Sequence, residues 1–370
     1  MKNIMKRQST LIVSYACNLN CIYCYERYKS SNLMEIAVAK SILDAEFKYM
    51  EESNKFDSLE FVFMGGEPLL NYDLIVNLCE WTWERYKARN YSFVVVTNGT
   101  LLDDKMKKWF SLNKGRIMID LSVDGYSEIQ FMNRGTKLQD IPIKWVNDNW
   151  PESDFKMTIS RSSLPYFAKG VIYLHSHNYK VLTTLAVGEK WTNEDAIIYY
   201  NQIRELSSYY LSQKNKFPPS FLLKSIDVLF EQKYAKRKCC HSGDSVVTYD
   251  INGDKYPCTI FTPLVFGRDI REELLNYDFN DDSQFFDSRC SRCIIYNLCK
   301  TCYGYNFKER GCLAKRDMAV CKMYKTEIYA ICQFQKELLE RVSGHRNLTF
   351  SENVRLEHIL KIIENIELKI

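Results

Sequence analysis

Along the first two thirds of the chain, short apolar, β-branched runs alternate with stretches whose apolar residues recur every three or four positions. That alternation is the signature of parallel strands joined by crossover helices. The runs predict six strands, at 9–15, 59–64, 92–97, 116–123, 156–160 and 180–187, and the periodic stretches predict helices at 34–50, 73–87, 103–112, 166–175 and 193–210. Six βα units are too few for a closed eight-unit barrel. They predict an α/β fold, a partial (β/α)6 TIM-like barrel, with reactive groups at the C-terminal strand ends.

From Cys239 onward the texture changes to Cys, Gly, Asp and aromatic residues with short turns such as 250–254, and helical periodicity returns at 323–341 and 353–370. The expected organisation is a barrel over 1–230, a small Cys-rich domain over 231–325 and a C-terminal helical extension over 326–370. No internal repeat or low-complexity tract interrupts it.

Composition narrows the classes. With 46% apolar and 14% aromatic residues among 370, there is ample material for a core. A formal charge of +4, from 50 basic and 46 acidic residues spread through the chain, argues for neither a nucleic-acid nor a membrane partner. The basic groups Lys105, Lys107 and Lys108, and Lys233, Lys236, Arg237 and Lys238, read as solvated faces. No signal peptide or membrane span is apparent, so the expectation is a cytoplasmic protein. Fourteen cysteines in a reducing compartment point to metal or cluster ligation rather than to disulfides.

Cys17, Cys21 and Cys24 follow the first predicted strand as C-x3-C-x2-C. Three thiolates on one loop can hold three irons of a [4Fe-4S] cluster and leave the fourth open, whereas an electron-carrying cluster normally takes four. A structural zinc site is the competing reading, because C-x2-C is also zinc spacing. These cysteines, with the aromatic Tyr23, resemble the radical S-adenosylmethionine (SAM) enzymes. The resemblance implies that the open iron binds the amino and carboxylate groups of SAM, that Tyr23 lies near adenine, and that one-electron reduction yields a 5'-deoxyadenosyl radical.

Further residues extend the resemblance. Gly65, Gly66 and Glu67, followed by Pro68, match the family's GGEP motif at the second strand end, where a carboxylate can accept hydrogen bonds from an ammonium. Thr97 and Asn98 end the third strand in a loop similar to the family's next cofactor-facing loop. Ser122 and Asp124 end the fourth, and the family pairs a Ser here with an Arg toward the cofactor carboxylate. Arg134 and Arg161 are both candidates, with Arg134 preferred. No residue that supplies or removes protons stands out.

The distal cysteines, Cys239, Cys240, Cys258, Cys290, Cys293, Cys299, Cys302, Cys312 and Cys321, resemble the SPASM auxiliary-cluster domain of peptide and protein maturases. By position the resemblance implies one auxiliary [4Fe-4S] cluster on Cys240, Cys258 and Cys302 and a second on Cys290, Cys293, Cys299 and Cys321. Two departures stand out: only Lys300 and Thr301 separate Cys299 from Cys302, where three residues are usual, and the adjacent Cys239 is the sole upstream candidate for a fourth ligand of the first cluster. With an open iron that cluster could bind a substrate thiolate; with Cys239 or Cys312 ligating it becomes an electron relay. Zinc ribbons are the competing reading of the array. Cys79 and Cys332 sit in helical patterns and read as buried thiols.

Family membership implies a peptide or protein substrate and a low-potential electron donor such as flavodoxin or ferredoxin. One reading is maturation of a ribosomally made peptide by thioether formation, carbon-carbon crosslinking or epimerisation. The alternative is formylglycine formation in a sulfatase, but where that branch has an Asp beside the auxiliary cysteine, Cys258 is followed by Thr259. Only eight residues precede the first predicted strand, so leader binding, if required, falls to a separate protein, the barrel surface or the C-terminal helices. The remaining reading is a non-catalytic iron-sulfur or zinc protein.

Overall fold

The computed structural model describes residues 5–213, 216–231 and 238–368. Lys233, Lys236 and Arg237 of the predicted basic group lie outside them. The chain divides into two compact units assembled from interleaved segments: Met1–Val123, Arg134–Lys156 and His241–Asn280 form the first, and Asp124–Asn133, Met157–Cys240 and Asp281–Ile370 the second.

The first unit is organised by parallel strands β1 (Lys6–Ser14), β2 (Ser58–Gly65), β3 (Tyr91–Thr97) and β4 (Ile117–Leu121), linked by helices α1 (Ile36–Ser53), α2 (Tyr72–Arg85) and α3 (Asp104–Leu112). Runs such as Leu11 to Val13, Phe61 to Phe63 and Phe93 to Val95 are buried almost completely, as strands covered on both faces must be. In register, Leu11 stands beside Phe63, Phe61 beside Phe93 and Val95 beside Ile119. Helix α1 lays Ala39, Ile42, Leu43 and Phe47 inward, and α3 begins where Asp103 accepts the Met106 N–H at 2.7 Å.

The unit also contains strands that the hydrophobic pattern did not predict. β7 (Val246–Tyr249) pairs parallel with β1, placing Tyr249 beside Leu11, and folds back antiparallel on β8 (Lys255–Tyr256), giving the order β4-β3-β2-β1-β7-β8. The predicted turn at 250–254 is the hairpin loop, in which Asp250 Oδ1 accepts the N–H groups of Asn252 and Asp254 at 2.9 and 3.0 Å. A buried cluster anchors the edge: Glu46 receives Arg7, Ser9 Oγ at 2.7 Å and the Tyr249 hydroxyl. Removing one member of such a buried ion pair costs about 3–5 kcal/mol.

β5 (Phe155–Ile159) begins in the first unit, where Lys156 bridges Ser122, and continues into the second, where it pairs with β6 (Val181–Leu185). Helices α4 (Ser127–Arg134) and α5 (Ile143–Asn149) lie in a stretch the pattern left unassigned. Taken together, these are the βα units of a partial TIM-like α/β barrel core.

In the second unit, helix α6 (Phe167–Ser176) packs on α7 (Asn193–Ser212), and α7 packs on a long helix, Met318–Ser343, against which Phe350–Asn365 also lies. Ile328 and Cys332 of the long helix, Ile359 and Ile362 of the last one, and Ile226 and Ile295 of the connecting segments form a shared core. Each fully buried aliphatic side chain there contributes about 1.5–3 kcal/mol. The buried Glu327 accepts the Tyr199 hydroxyl at 2.9 Å and pairs with Lys224. The Cys-rich segment between these helices is mostly short 3-10 turns, at Asp282–Phe285, Ser288–Cys290 and Tyr296–Leu298. Among the described residues no helix is long and apolar enough to cross a membrane.

Candidate active site

The loop after β1 carries Cys17, Cys21 and Cys24, all partly exposed and none in a disulfide. A turn closes it, with Cys24 N donating to Cys21 O at 3.1 Å, and Leu19 N donates to Cys17 Sγ at 3.4 Å. Lys29 returns to the loop, its Nζ donating to Leu19 O at 3.3 Å. Burial opposes the Lys29 charge, but Cys24, Cys17, Glu26 and Cys21 together hold its pKa above the ordinary value. Among the described residues no three Cys, His, Asp or Glu side chains meet in the tight arrangement that a single ion takes. What fits an iron-sulfur cluster is the donor chemistry and the position at a strand's C-terminal end, not a preformed coordination sphere.

The β2 end is fastened to this loop by backbone. Gly66 N donates to Ser14 O at 2.9 Å and Glu67 N to Ala16 O at 2.8 Å. A Cβ on Gly65 would stand 2.2 Å from Ser14 O, and one on Gly66 2.2 Å from Ala16 O. The two glycines therefore serve close approach to the chain's own backbone, which sets where the cysteine loop starts.

Glu67 joins the next two strand ends. Its Oε1 accepts the Thr97 hydroxyl at 2.6 Å and Leu69 N at 3.1 Å, and its Oε2 accepts Asn98 N at 2.9 Å. A carboxylate offers about four lone-pair sites, so one more donor can be accommodated. Burial raises the Glu67 pKa, against the pull of these donors and of Arg134. Asn98 Nδ2 donates to Asn18 Oδ1 at 3.0 Å, tying the β3 loop to the cysteine loop, and Ser122 N donates to Thr97 O at 3.0 Å. The Arg134 guanidinium sits 5.4 Å from the Tyr23 ring centre. The first unit thus gathers the three cysteines, Tyr23, Gly65 to Glu67, Thr97, Asn98, Ser122 and Arg134 on one rim.

Two predicted residues belong to the second unit. Asp124 is fully buried and structural in its bonding, accepting Thr158 N at 2.9 Å and Asn133 Nδ2 at 3.2 Å. Arg161 pairs with Asp195 at 2.8 Å, and Asp195 also accepts the Thr192 N–H in the capping box of α7. Between the two candidate arginines, Arg134 is the one that shares a surface with Tyr23.

One residue on the rim carried no motif. Glu26 is 7% exposed, its Oε1 has no partner, and burial pushes its carboxyl up to about 7, with Lys29 pulling down and Glu67 pushing further up. A single loop carboxylate has no periodicity to reveal it; its place two residues after Cys24 was the available signal.

The distal cysteines fall into groups. Cys290, Cys293, Cys299 and Cys321 line one small recess in the second unit, together with Tyr296 and Arg316. Burial pushes the Cys299 thiol up to about 12, Arg316 pulling the other way. Four thiols around one recess form the donor set of a four-ligand cluster. The Cys239 thiol hydrogen-bonds toward Cys240, and lies 3.4 Å from Thr301 O. Cys302 lines a separate cavity with Gly188, Trp191, Tyr305 and Tyr324. Cys258 lies in the first unit just beyond β8, and its neighbour Thr259 reaches Met64 Sδ at 3.9 Å, at the start of the Gly65 to Pro68 loop. Cys312 follows the helix Tyr303–Arg310, outside the four-thiol recess. Cys79 and Cys332 are fully buried in helices.

The sequence matches the family model described as Radical SAM superfamily over residues 11–200. It is 23% identical over 361 residues to the radical SAM cyclopropyl synthase TigE of Paramaledivibacter caminithermalis, covering 89% of this chain and 74% of that protein. It is 28% identical over 258 residues to the uncharacterized protein MJ0907 of Methanocaldococcus jannaschii, covering 67% and 83%. Among solved structures, anSMEcpe with bound AdoMet and the Cp18Cys peptide aligns with a TM-score of 0.65 at 20% identity over 91% of this chain and 99% of that one, a likeness of fold.

Proposed function

The chain belongs to the radical SAM superfamily, its cofactors are SAM and [4Fe-4S] clusters, and from that premise we propose that it modifies a residue of a ribosomally made peptide. The observation that carries this reading is the recess lined by Cys290, Cys293, Cys299 and Cys321 in a chain that also has the family's three-cysteine loop, because an auxiliary cluster in addition to the catalytic one is the equipment of peptide and protein maturases. The extent of the TigE match, across 89% of the chain, supports it.

In this reading Cys17, Cys21 and Cys24 hold the catalytic cluster. Once bound, the cluster and SAM together supply, on one-electron reduction, a 5'-deoxyadenosyl radical that takes a hydrogen atom from the peptide. The protein's part is to bind and to orient. Arg134 and Ser122 receive the cofactor carboxylate, and Tyr23 faces adenine. Glu67 holds the β2 and β3 loops at fixed separation, and Lys29 balances the thiolate charge. By the family resemblance Cys240, Cys258 and Cys302 would hold the first auxiliary cluster, with Cys239 or Cys312 as a candidate further ligand. A low-potential donor such as flavodoxin or ferredoxin delivers the electron. The reading places the protein in the cytoplasm, where thiols stay reduced.

The formylglycine-forming alternative lacks support at the residue after Cys258. Thr259 contacts Met64 and, at 3.3 Å, Thr248, and offers no carboxylate there. The test is a precursor peptide encoded beside the gene, incubated anaerobically with reconstituted protein, SAM and reductant. The proposal expects a mass change confined to one or a few peptide residues, with label from a deuterated peptide appearing in 5'-deoxyadenosine. Turnover of a sulfatase peptide in place of the precursor would overturn it.

A further inference from the structure

Arg316 is 5% exposed, yet two of its donors have no acceptor. Its backbone N–H is held by Asp287 Oδ2 at 2.9 Å, and its Nη2 donates to the Phe285 carbonyl at 3.1 Å and lies 3.5 Å from the Tyr303 hydroxyl. Nε and Nη1 are buried without partners. The guanidinium is also stacked in place, its centre 4.8 Å from the Tyr303 ring.

A buried guanidinium with open donors is costly unless something anionic completes it. Among the described residues no carboxylate hydrogen-bonds to its side chain. Beside the Tyr303 and Tyr296 rings it faces sulfurs: Arg316 lines the same recess as Cys290, Cys293, Cys299 and Cys321, and after Tyr303 the groups its charge acts on are Cys299 and Cys239. A cluster held by four thiolates is anionic in both oxidation states, and more so when reduced. A fixed cation with free N–H groups in the wall therefore favours the reduced form, since hydrogen bonds to the sulfurs and net charge set such potentials.

We propose that Arg316 is the positioning and tuning residue of the cluster held by Cys290, Cys293, Cys299 and Cys321, raising its reduction potential so that it accepts an electron more readily. The proposal rests on the cluster assignment above. Its use in the reaction is the acceptance of one electron from the carbon-centred radical left on the substrate, which closes that radical to a bond or a double bond with loss of a proton.

The experiment is an anaerobic redox titration of the reconstituted full chain, followed by electron paramagnetic resonance, in the wild type, Arg316→Gln and Arg316→Lys, with iron counted in each. Arg316→Gln is expected to keep its iron and to lower the ratio of reduced to oxidised auxiliary cluster at fixed potential by tenfold or more, which is about 59 mV for one electron. Arg316→Lys is expected to recover part of that shift, because the charge stays while the fork of donors is lost. A wild-type potential in an iron-replete Arg316→Gln variant overturns the proposal. Loss of the auxiliary iron from both variants also overturns it, because Arg316 would then serve assembly and not potential. Failure of the underlying assignment reads differently: Cys290→Ala with Cys321→Ala would leave the iron count of the wild type unchanged.

Discussion

Glu67 Oε1 accepts the Thr97 hydroxyl at 2.6 Å, so one buried carboxylate fixes the end of β2 to the end of β3. Together with the Asn98 to Asn18 contact, this makes the rim a connected set of strand ends and not a collection of separate loops.

Replacing Glu67 by Ala removes an acceptor from three donors, two of them backbone N–H groups in a buried site. Each donor left unsatisfied costs about 1–3 kcal/mol. The expected outcome is a lower unfolding midpoint together with weaker SAM binding by calorimetry, whereas Thr97→Val, which removes only the hydroxyl, is expected to lose about 1–2 kcal/mol of stability and keep most binding.

Gly66→Ala places a methyl group 2.2 Å from a backbone carbonyl oxygen, which no rotamer change relieves. The β2 end and the cysteine loop must then separate, at a cost of about 3 kcal/mol. The check is iron content after reconstitution: the catalytic cluster should be depleted while the distal clusters remain.

Arg134→Ala and Arg161→Ala separate the two candidate arginines. Loss of a charge-assisted contact of about 1.5–3 kcal/mol should weaken SAM binding roughly tenfold to a hundredfold in Arg134→Ala. Arg161→Ala is expected to leave SAM affinity unchanged and to loosen the start of α7, where Asp195 loses its partner.

Asp287 braces the loop that carries Arg316, and Arg289 beside it, despite burial, holds its carboxyl well below the usual carboxylate range. A depressed folded-state pKa contributes stability that is present above the unfolded value near 4 and is lost as pH falls through the folded one. Asp287→Asn should therefore reduce the acid-induced part of unfolding below about pH 4 and weaken the fold at pH 7. Thermal denaturation of the two proteins across pH 2.5 to 7 checks the sign.

The barrel core was legible because its strands are continuous apolar runs between amphipathic helices, and all six appear within a few residues of their expected bounds. β7 was not, because Val246 to Tyr249 is a four-residue run inside a segment rich in Cys, Gly and Asp, and its parallel pairing with β1 joins residues far apart in sequence. The cysteine loop and the Gly65 to Pro68 loop were visible as spacing. Glu26, Lys29 and Arg316 were not, since a lone charged residue in a loop carries no period; burial and a missing partner mark Glu26 and Arg316, and the charges around it mark Lys29. Asp124 stands at a strand end as expected, and it accepts hydrogen bonds from Thr158 N and Asn133 Nδ2, contacts between elements that no sequence period reveals.

The most direct test of the central claim is the yield of 5'-deoxyadenosine when the reconstituted, reduced protein meets SAM under anaerobic conditions. The account predicts formation by the wild type and none by a variant with Cys17, Cys21 and Cys24 all replaced by Ala, while the distal iron is retained. Equal yield from that variant, or none from a fully iron-loaded wild type supplied with its peptide, would contradict it.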